Sequence, residues 1–540
     1  MSPVFVGRKR QLAVLKDALA SVGQAEPATI LIGGEAGVGK TRLVGEFARR
    51  RPQAGLVLAG GCVELGAAGL PFAPFTGMLR QLARDMGAAG VVELLPGRVS
   101  GELSRLVPEL GELAWREDED CQAEARARLF EQLLGLFGRL AETGPVTLII
   151  EDVHWADCST RDLLMFLVGK QQVLSGLLIV VTFRSDELHR LHPLRPVLAE
   201  LGRISWVERL ELPRLTRPEA GGQIAAILAR DPEPALVDKV YRRSEGNPLF
   251  VEQLLGCEAE LPESLRDLVL ANVQRLPEET AELLRTASAG GVRVGHRLLA
   301  AVSGLAGEDL SVVLRPAIGG KLLLADSDGY QFRHALIHEV MHDDLLPGER
   351  SRLHCRYAEA ICSDPSLVPP GRAAMEEAHH WHSAHDVSRA LFSAWRAAAD
   401  ARAALAYAEQ LTMLSRVLEL WDSVPDAAER INAEHGRVLE EAVWAAQRTG
   451  EESRAVSFAS AALQEIDINA EPDRAAMLLE RRSVLRGARD LDGSISDLRL
   501  ALELVGDGAH ERERAKVLAA LARLQRSPGQ QAVRRTAPDE

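Results

Sequence analysis

The residues best suited to chemistry lie between Thr29 and Thr41, TILIGGEAGVGKT. Gly34-x-x-x-x-Gly39-Lys40-Thr41 has the spacing of a phosphate-binding P-loop. Glycines there let successive backbone N–H groups turn inward onto phosphate oxygens, in a concavity that Cβ atoms would fill. Gly34, Glu35, Ala36, Gly37, Val38 and Gly39 make the cradle. Lys40 stands against the β- and γ-phosphates, and Thr41 offers its hydroxyl to Mg²⁺. The helix from Thr41, with Arg42 in its first turn, directs the positive end of its dipole at the anion.

Two further groups fit the same chemistry. Val146 to Ile150 is a continuous apolar run of strand length, as in a strand buried on both faces of a parallel sheet. It delivers Glu151 and Asp152 to its C-terminal end, the edge where open α/β sheets bind ligands. One carboxylate would hold Mg²⁺ and the other would orient or deprotonate an attacking water. A second apolar run, Leu177 to Thr182, ends at Phe183-Arg184, so Arg184 either reaches a γ-phosphate or makes a surface ion pair.

These groups need an alternating α/β frame. Apolar runs at Ile30–Ile32 and 55–61 supply further strands, and Leu129, Leu133, Leu136 and Leu140 share one face of a helix. From Leu212 the chain becomes helical, and Gly246-Pro248 stops one helix and starts the next. Short helices over 261–350 end in a hairpin signal, Lys321–Ala325 and Tyr330–Arg333 around Ser327-Asp328-Gly329, which suggests a winged helix. No basic cluster accompanies it, and direct DNA binding is not expected. Beyond residue 370, segments 437–467 and 477–507 repeat a two-helix layout, with a weaker copy at 396–420. Such pairs stack into a TPR-like α-solenoid whose concave face binds a partner or inducer.

Two histidine-rich stretches invite a metal reading. His338-Glu339-Val340-Met341-His342 matches the helical zinc-protease motif, but a P-loop architecture gives a protease site no place. His379, His380, His382 and His385 crowd near residue 380, with 379, 382 and 385 assignable to one helix face. No carboxylate or cysteine completes a ligand set there, so they read as solvated or packed side chains.

Composition narrows the function classes. The net charge of −14 argues against a broad nucleic-acid surface. Six scattered cysteines without a C-x-x-C pair indicate neither a disulfide framework nor a zinc site, and fit a reducing cytoplasm. No apolar segment is long enough to span a bilayer.

Taken together, FVGR at 5–8, GGEAGVGKTRLV at 33–44, IIEDVHWADCST at 149–160 and TFRSDEL at 182–188 resemble a known family. EGNPLFVEQLL at 245–255, YQFRHALIHEV at 330–340 and LLPGERSRLH at 345–354 continue the likeness. The chain resembles the N-terminal part of the large LuxR-type ATP-binding regulators, the MalT-like branch of the signal-transduction ATPases with numerous domains (STAND), related to AAA+ proteins. That resemblance implies that Val6, Gly7 and Arg8 line the adenine pocket and that Arg184 is a sensor arginine. It also implies that Pro248 packs on the adenine side and that His334 contacts the ADP β-phosphate in an inactive state.

The expected fold is multidomain α/β plus α. A P-loop NTPase (AAA+/STAND) core occupies 1–210, a helical small domain 211–258, a winged-helix-like domain 259–350, TPR-like repeats 351–526 and a disordered tail 527–540. ATP or ADP with Mg²⁺ is the expected cofactor set, Thr41 and Glu151 the metal ligands, and Lys40, Asp152 and Arg184 the catalytic groups. Two departures stand out: Lys9 follows FVGR where an acid is common, and the acidic pair runs Glu then Asp, which leaves the shorter Asp152 as base and implies slow hydrolysis. A C-terminal helix-turn-helix, usual in such regulators, is not recognisable. The expected behaviour is an ATP-dependent, self-associating switch. The alternatives are a remodelling ATPase or a truncated nucleotide-binding remnant.

Overall fold

The computed structural model describes residues 5–50, 55–63, 69–95, 102–111, 119–174, 176–255, 265–505 and 511–525. The chain divides into two compact units, residues 1–386 and 387–540.

The first unit is built on a parallel five-stranded sheet: β1 (Ala28–Gly33), β2 (Leu56–Gly61), β3 (Val146–Glu151), β4 (Leu177–Thr182) and β5 (Val207–Glu211). Spatial order is β2-β3-β4-β1-β5. Every residue of β1 and β4 is buried, which accounts for their unbroken apolar sequences. One face, carrying Ile30, Ile32, Leu178 and Val180, packs on helices α1 (Lys9–Gly23) and α2 (Lys40–Arg50). By strand alternation Leu31, Ile179 and Val181 face the other way. Helices α3 (Ala73–Glu93), α4 (Glu119–Glu142), α5 (Cys158–Lys170) and α6 (Leu194–Leu201) complete the layers, with α4 against β3 and β4. A buried Gln171 ties β1 to β4, accepting from Thr29 Oγ1 at 2.6 Å and donating to the carbonyls of Ala28 and Leu177 at 2.7 Å. Register sets Ile32 beside Thr182, so the loops after β1, β3 and β4 open on the same edge.

Two smaller assemblies follow. Helices α7 (Arg217–Leu228), α8 (Pro234–Ser244) and α9 (Pro248–Leu255) enclose a core of Ala220, Ile224, Val240, Val251 and Leu254. Next come α10 (Leu265–Gln274), α11 (Glu278–Ala289), α12 (His296–Ser303), α13 (Gly307–Gly319) and α14 (Ala335–Asp343). They pack with a three-stranded antiparallel sheet, β6 (Arg293–Gly295), β7 (Leu323–Ala325) and β8 (Gly329–Phe332), in the order β6-β8-β7. The hairpin β7–β8 turns on Asp326, whose carboxylate accepts from the backbone N–H groups of Asp328 and Gly329. The third strand, β6, is too short to leave a periodic signal. Helices α15 (Pro347–Ser363) and α16 (Ala373–Ser383) close the unit, and Tyr357 and Ile361 of α15 join the same core.

The second unit contains α17 (Val387–Ala403), α18 (Tyr407–Leu420), α19 (Ala427–Ile431), α20 (His435–Arg448), α21 (Glu452–Glu465), α22 (Pro472–Arg486), α23 (Leu491–Val505) and α24 (Glu511–Gln525). The pairs α17/α18, α20/α21 and α22/α23 pack closely, and α18 on α20 and α21 on α22 join successive pairs. Buried alanines, among them Ala394, Ala397, Ala455, Ala459 and Ala475, allow the close approach. Arg482 grips Asp497 with two hydrogen bonds, of 2.9 and 2.6 Å, from α22 to α23.

Among the described residues no helix is long and apolar enough to cross a membrane. Cys62, Cys158, Cys355 and Cys362 take part in no disulfide among the described residues; Cys121 has no described side chain, Cys257 lies outside the described residues, and so does the tail 527–540.

Candidate nucleotide-binding site

The P-loop leaves β1 at Gly33 and enters α2 at Lys40. Gly34, Gly37 and Gly39 have φ of 156°, 75° and 102°. At Gly37 a Cβ would come within 2.9 Å of Leu249 Cβ, so both the backbone turn and the close approach of α9 require glycine there. Lys40 is buried, and its ammonium donates to the carbonyls of Gly34 (2.7 Å) and Glu35 (2.9 Å). Burial lowers its pKa, and Asp152 nearby opposes the shift.

Glu151 and Asp152 stand at the end of β3, across β4 from the P-loop strand. Thr41 Oγ1 donates to Glu151 Oε2 at 2.9 Å. Burial raises the pKa of both acids; the Thr41 bond opposes this at Glu151, and Arg184 and Lys40 oppose it at Asp152. A hydroxyl and half-buried carboxylates are the oxygen donors that Mg²⁺ takes, so the residues present fit that ion, with Thr41 and Glu151 to hold it. Asp152 adopts φ 56°, a left-handed conformation rare outside glycine, and its N–H donates to Thr182 Oγ1 at 3.0 Å. Strain of this kind concentrates at functional sites.

Arg184 lies at the β4 end, between these elements. Its guanidinium is buried, stands 5.0 Å over the Trp155 ring, and donates to Glu339 Oε1 at 2.7 Å and to Glu187. Burial alone would lower its pKa, but the two carboxylates raise it above the usual arginine value. His154 is buried with neither ring nitrogen hydrogen-bonded, and burial followed by Arg184 and Lys40 drives its pKa down to about 2. At that pKa its 3.5 Å approach to Glu187 is not an ion pair at neutral pH.

The other expected residues gather around the loop in unequal measure. Gly7 and Arg8 take positive φ, and Arg8 Nη2 donates to the Val38 carbonyl at 3.3 Å, which sets the Val6–Arg8 segment against the P-loop. Glu35 pairs with Arg214, and the Ala36 N–H donates to Asp186. Arg42 lies 3.6 Å from Glu252 of α9, which also binds Arg333. His334 begins α14 beside that pair, and burial, then Arg333, lowers its pKa to about 4. Pro248 has its carbonyl on Gln223. It is Asn247, one residue earlier, that touches the P-loop, through Nδ2 to the Ala36 carbonyl at 3.0 Å.

Asn247, Glu252 and Glu339 were not singled out in the sequence. Asn247 was hidden in a Gly-Pro helix break that needed no further reason. Glu339 was masked by the zinc-protease pattern: His338 and His342 stay stacked with ring centroids 5.8 Å apart, but His338 Nε2 bonds the Ser288 carbonyl and Glu339 turns to Arg184.

Residues 4–181 match the family model described as an AAA ATPase domain. The chain carries an AAA ATPase domain. An uncharacterised protein of Rhizobium meliloti (strain 1021) is 26% identical over 420 residues, covering 67% of this chain and 37% of that protein. The chain therefore spans a little over a third of the relative's length. A STAND protein with a tetratricopeptide repeat sensor from Pyrococcus horikoshii superposes with a TM-score of 0.48 at 14% identity, covering 97% of this chain and 81% of that one. The Aeropyrum pernix ORC1 protein, solved in complex with DNA, gives 0.30 at 16% identity, covering 64% and 94%. Within the AAA domain lie the P-loop and the Glu151-Asp152 pair; Arg184, Asn247, Glu252 and Glu339 lie beyond it.

Proposed function

We propose that this chain is an ATP-controlled signalling switch of the STAND type, related to the large LuxR-type transcriptional regulators and working in the cytoplasm. Residues 265–343 act as a winged-helix module, and the helical pairs after residue 387 act as a TPR-like sensor for a protein or small-molecule inducer. The observation that carries the reading is the Arg184–Glu339 bond, since it joins an arginine at the phosphate edge to the module. A γ-phosphate at the P-loop offers Arg184 a stronger anionic partner than a carboxylate about a third exposed. ADP lacks that group and leaves the bond in place, so exchange of ADP for ATP changes the packing of the module.

Mg²⁺, when bound, offsets phosphate charge. Thr41 and Glu151 hold it, Lys40 and the loop N–H groups hold the phosphates, and Asp152 orients or deprotonates water. A short, strained Asp152 gives slow hydrolysis, which suits a timer. The bond Asn247–Ala36 and the Glu252 pairs with Arg42 and Arg333 support coupling of the same pocket to α9 and α14.

Size-exclusion chromatography with light scattering tests the reading, using nucleotide-stripped protein loaded with ADP or with a non-hydrolysable ATP analogue and Mg²⁺. Assembly with the analogue alone, absent in Lys40→Ala, is expected. Tight binding without a change of mass contradicts ATP-driven assembly.

A further inference from the structure

Away from the nucleotide pocket, three imidazoles meet where α15 packs on α16. His354 comes from α15, and His379 and His380 from α16. One ring nitrogen from each lies within 4.8 Å of the others. His354 and His380 are buried, and His379 is half-buried. The helix-face grouping of 379, 382 and 385 does not form, because α16 ends at Ser383 and His385 follows in a left-handed turn with φ 60°.

The decisive contact is between two like atoms: Nδ1 of His354 faces Nδ1 of His380 at 2.8 Å. Two imidazole lone pairs at that distance repel unless a proton or another cation lies between them. A neutral pair satisfies the contact with one Nδ1–H donating to the other, and a metal ion bound by both nitrogens satisfies it equally. The rings are also held in place. His380 stacks on Tyr357 at 5.0 Å and 17°, and the Tyr357 hydroxyl donates to the Thr286 carbonyl at 3.1 Å. His342 of α14 approaches His354 edge-on at 6.0 Å.

We propose that His354, His379 and His380 bind a divalent transition-metal ion, Zn²⁺ in the first instance, which ties α15 to α16. Three neutral imidazoles with no carboxylate among them suit zinc and its neighbours and not the hard cations Mg²⁺ and Ca²⁺. Tetrahedral Zn–N bonds of about 2.05 Å set nitrogens roughly 3.3 Å apart, so loading opens the His354–His380 pair by about half an ångström. The fourth position is open to water or to an external ligand. This site is separate from the P-loop and needs no nucleotide.

The test uses the full chain, untagged, stripped with chelator and desalted. Titration with Co²⁺ should give visible d–d absorption that saturates at one ion per chain and is displaced by Zn²⁺. His379→Ala, at the half-buried position, should abolish it. His192→Ala, which removes the separate His189–His192 pair, should leave it unchanged. Absorption that persists in both His379→Ala and His354→Asn overturns the proposal, as does failure of the wild-type chain to take up Co²⁺. X-ray absorption at the zinc edge of the wild-type protein needs no variant. A shell of three imidazole nitrogens supports the site, and a shell containing sulfur, or oxygen alone, overturns it.

Discussion

Arg184 Nη1 donates to Glu339 Oε1 at 2.7 Å, joining the C-terminal edge of the sheet to α14 across 155 residues of chain. A carboxylate of α14 thus holds an arginine that follows β4 at the sheet edge where the P-loop begins. Glu339→Gln keeps the shape and removes the charge. Because Glu339 is about a third exposed, solvent screens the pair and its worth is about 1 kcal/mol. The affinity for a non-hydrolysable ATP analogue relative to ADP should therefore rise about three- to fivefold. Titration calorimetry reads that ratio, and a ratio equal to wild type would show that Glu339 does not compete with nucleotide.

Glu151 and Asp152 should separate by role. Glu151→Gln removes the acid bonded to Thr41 and should cost the Mg²⁺-dependent part of ATP affinity, about tenfold. Asp152→Asn should leave binding near wild type and cut hydrolysis by about 10²-fold or more. Phosphate release and equilibrium binding, measured with and without Mg²⁺, distinguish the two, and an identical pattern in both variants would refute the assignment.

Two glycines with similar φ offer a stability contrast. At Gly246, φ is 80° and an added Cβ would run into the Leu215 carbonyl, whose N–H in turn binds the Gly246 carbonyl at 2.8 Å. At Gly304, φ is 76° and a Cβ meets nothing within 4 Å. Gly304→Ala should cost about 1 kcal/mol, the conformational penalty alone. Gly246→Ala should cost about 2–4 kcal/mol and weaken nucleotide binding as well, since it displaces Asn247 from Ala36. Melting temperatures with and without ADP test the difference.

His154 makes the fold acid-sensitive. Its pKa falls from 6.5 to about 2 on folding, through burial first and then Arg184 and Lys40. Below pH 6.5 the unfolded chain takes up a proton that the folded chain refuses. Stability from this residue is therefore fully present above 6.5 and is lost as pH falls toward about 2. The slope approaches about 1.4 kcal/mol per pH unit. His154→Leu should flatten the fall in melting temperature between about pH 7 and about pH 5, and an unchanged fall would assign the acid sensitivity elsewhere.

The local parts of the site were legible in sequence because they depend on neighbours in the chain. Gly34 to Thr41 announces its own backbone geometry, and the run Val146–Ile150 announces a buried strand that must end at Glu151. The strand order was not legible, since placing β4 between β1 and β3 rests on pairings far apart in sequence. The same reason hid Glu339, Glu252 and Asn247, whose partners Arg184, Arg333 and Ala36 lie 155, 81 and 211 residues away. It also hid the pairing of His354 with His380, which a search for ligands along one helix passes over. The two-helix segments read at 437–467 and 477–507 overlap the pairs α20/α21 and α22/α23, because each repeats a local pattern.

The most direct test of the account is hydrogen exchange at the backbone amides of α14, Ala335–Asp343, in the full chain with ADP and with a non-hydrolysable ATP analogue plus Mg²⁺. The account predicts strong protection with ADP, faster exchange with the analogue, and no difference between the two in Lys40→Ala. Equal protection of α14 in both nucleotide states of the wild-type chain, with both nucleotides bound, would contradict the Arg184–Glu339 switch.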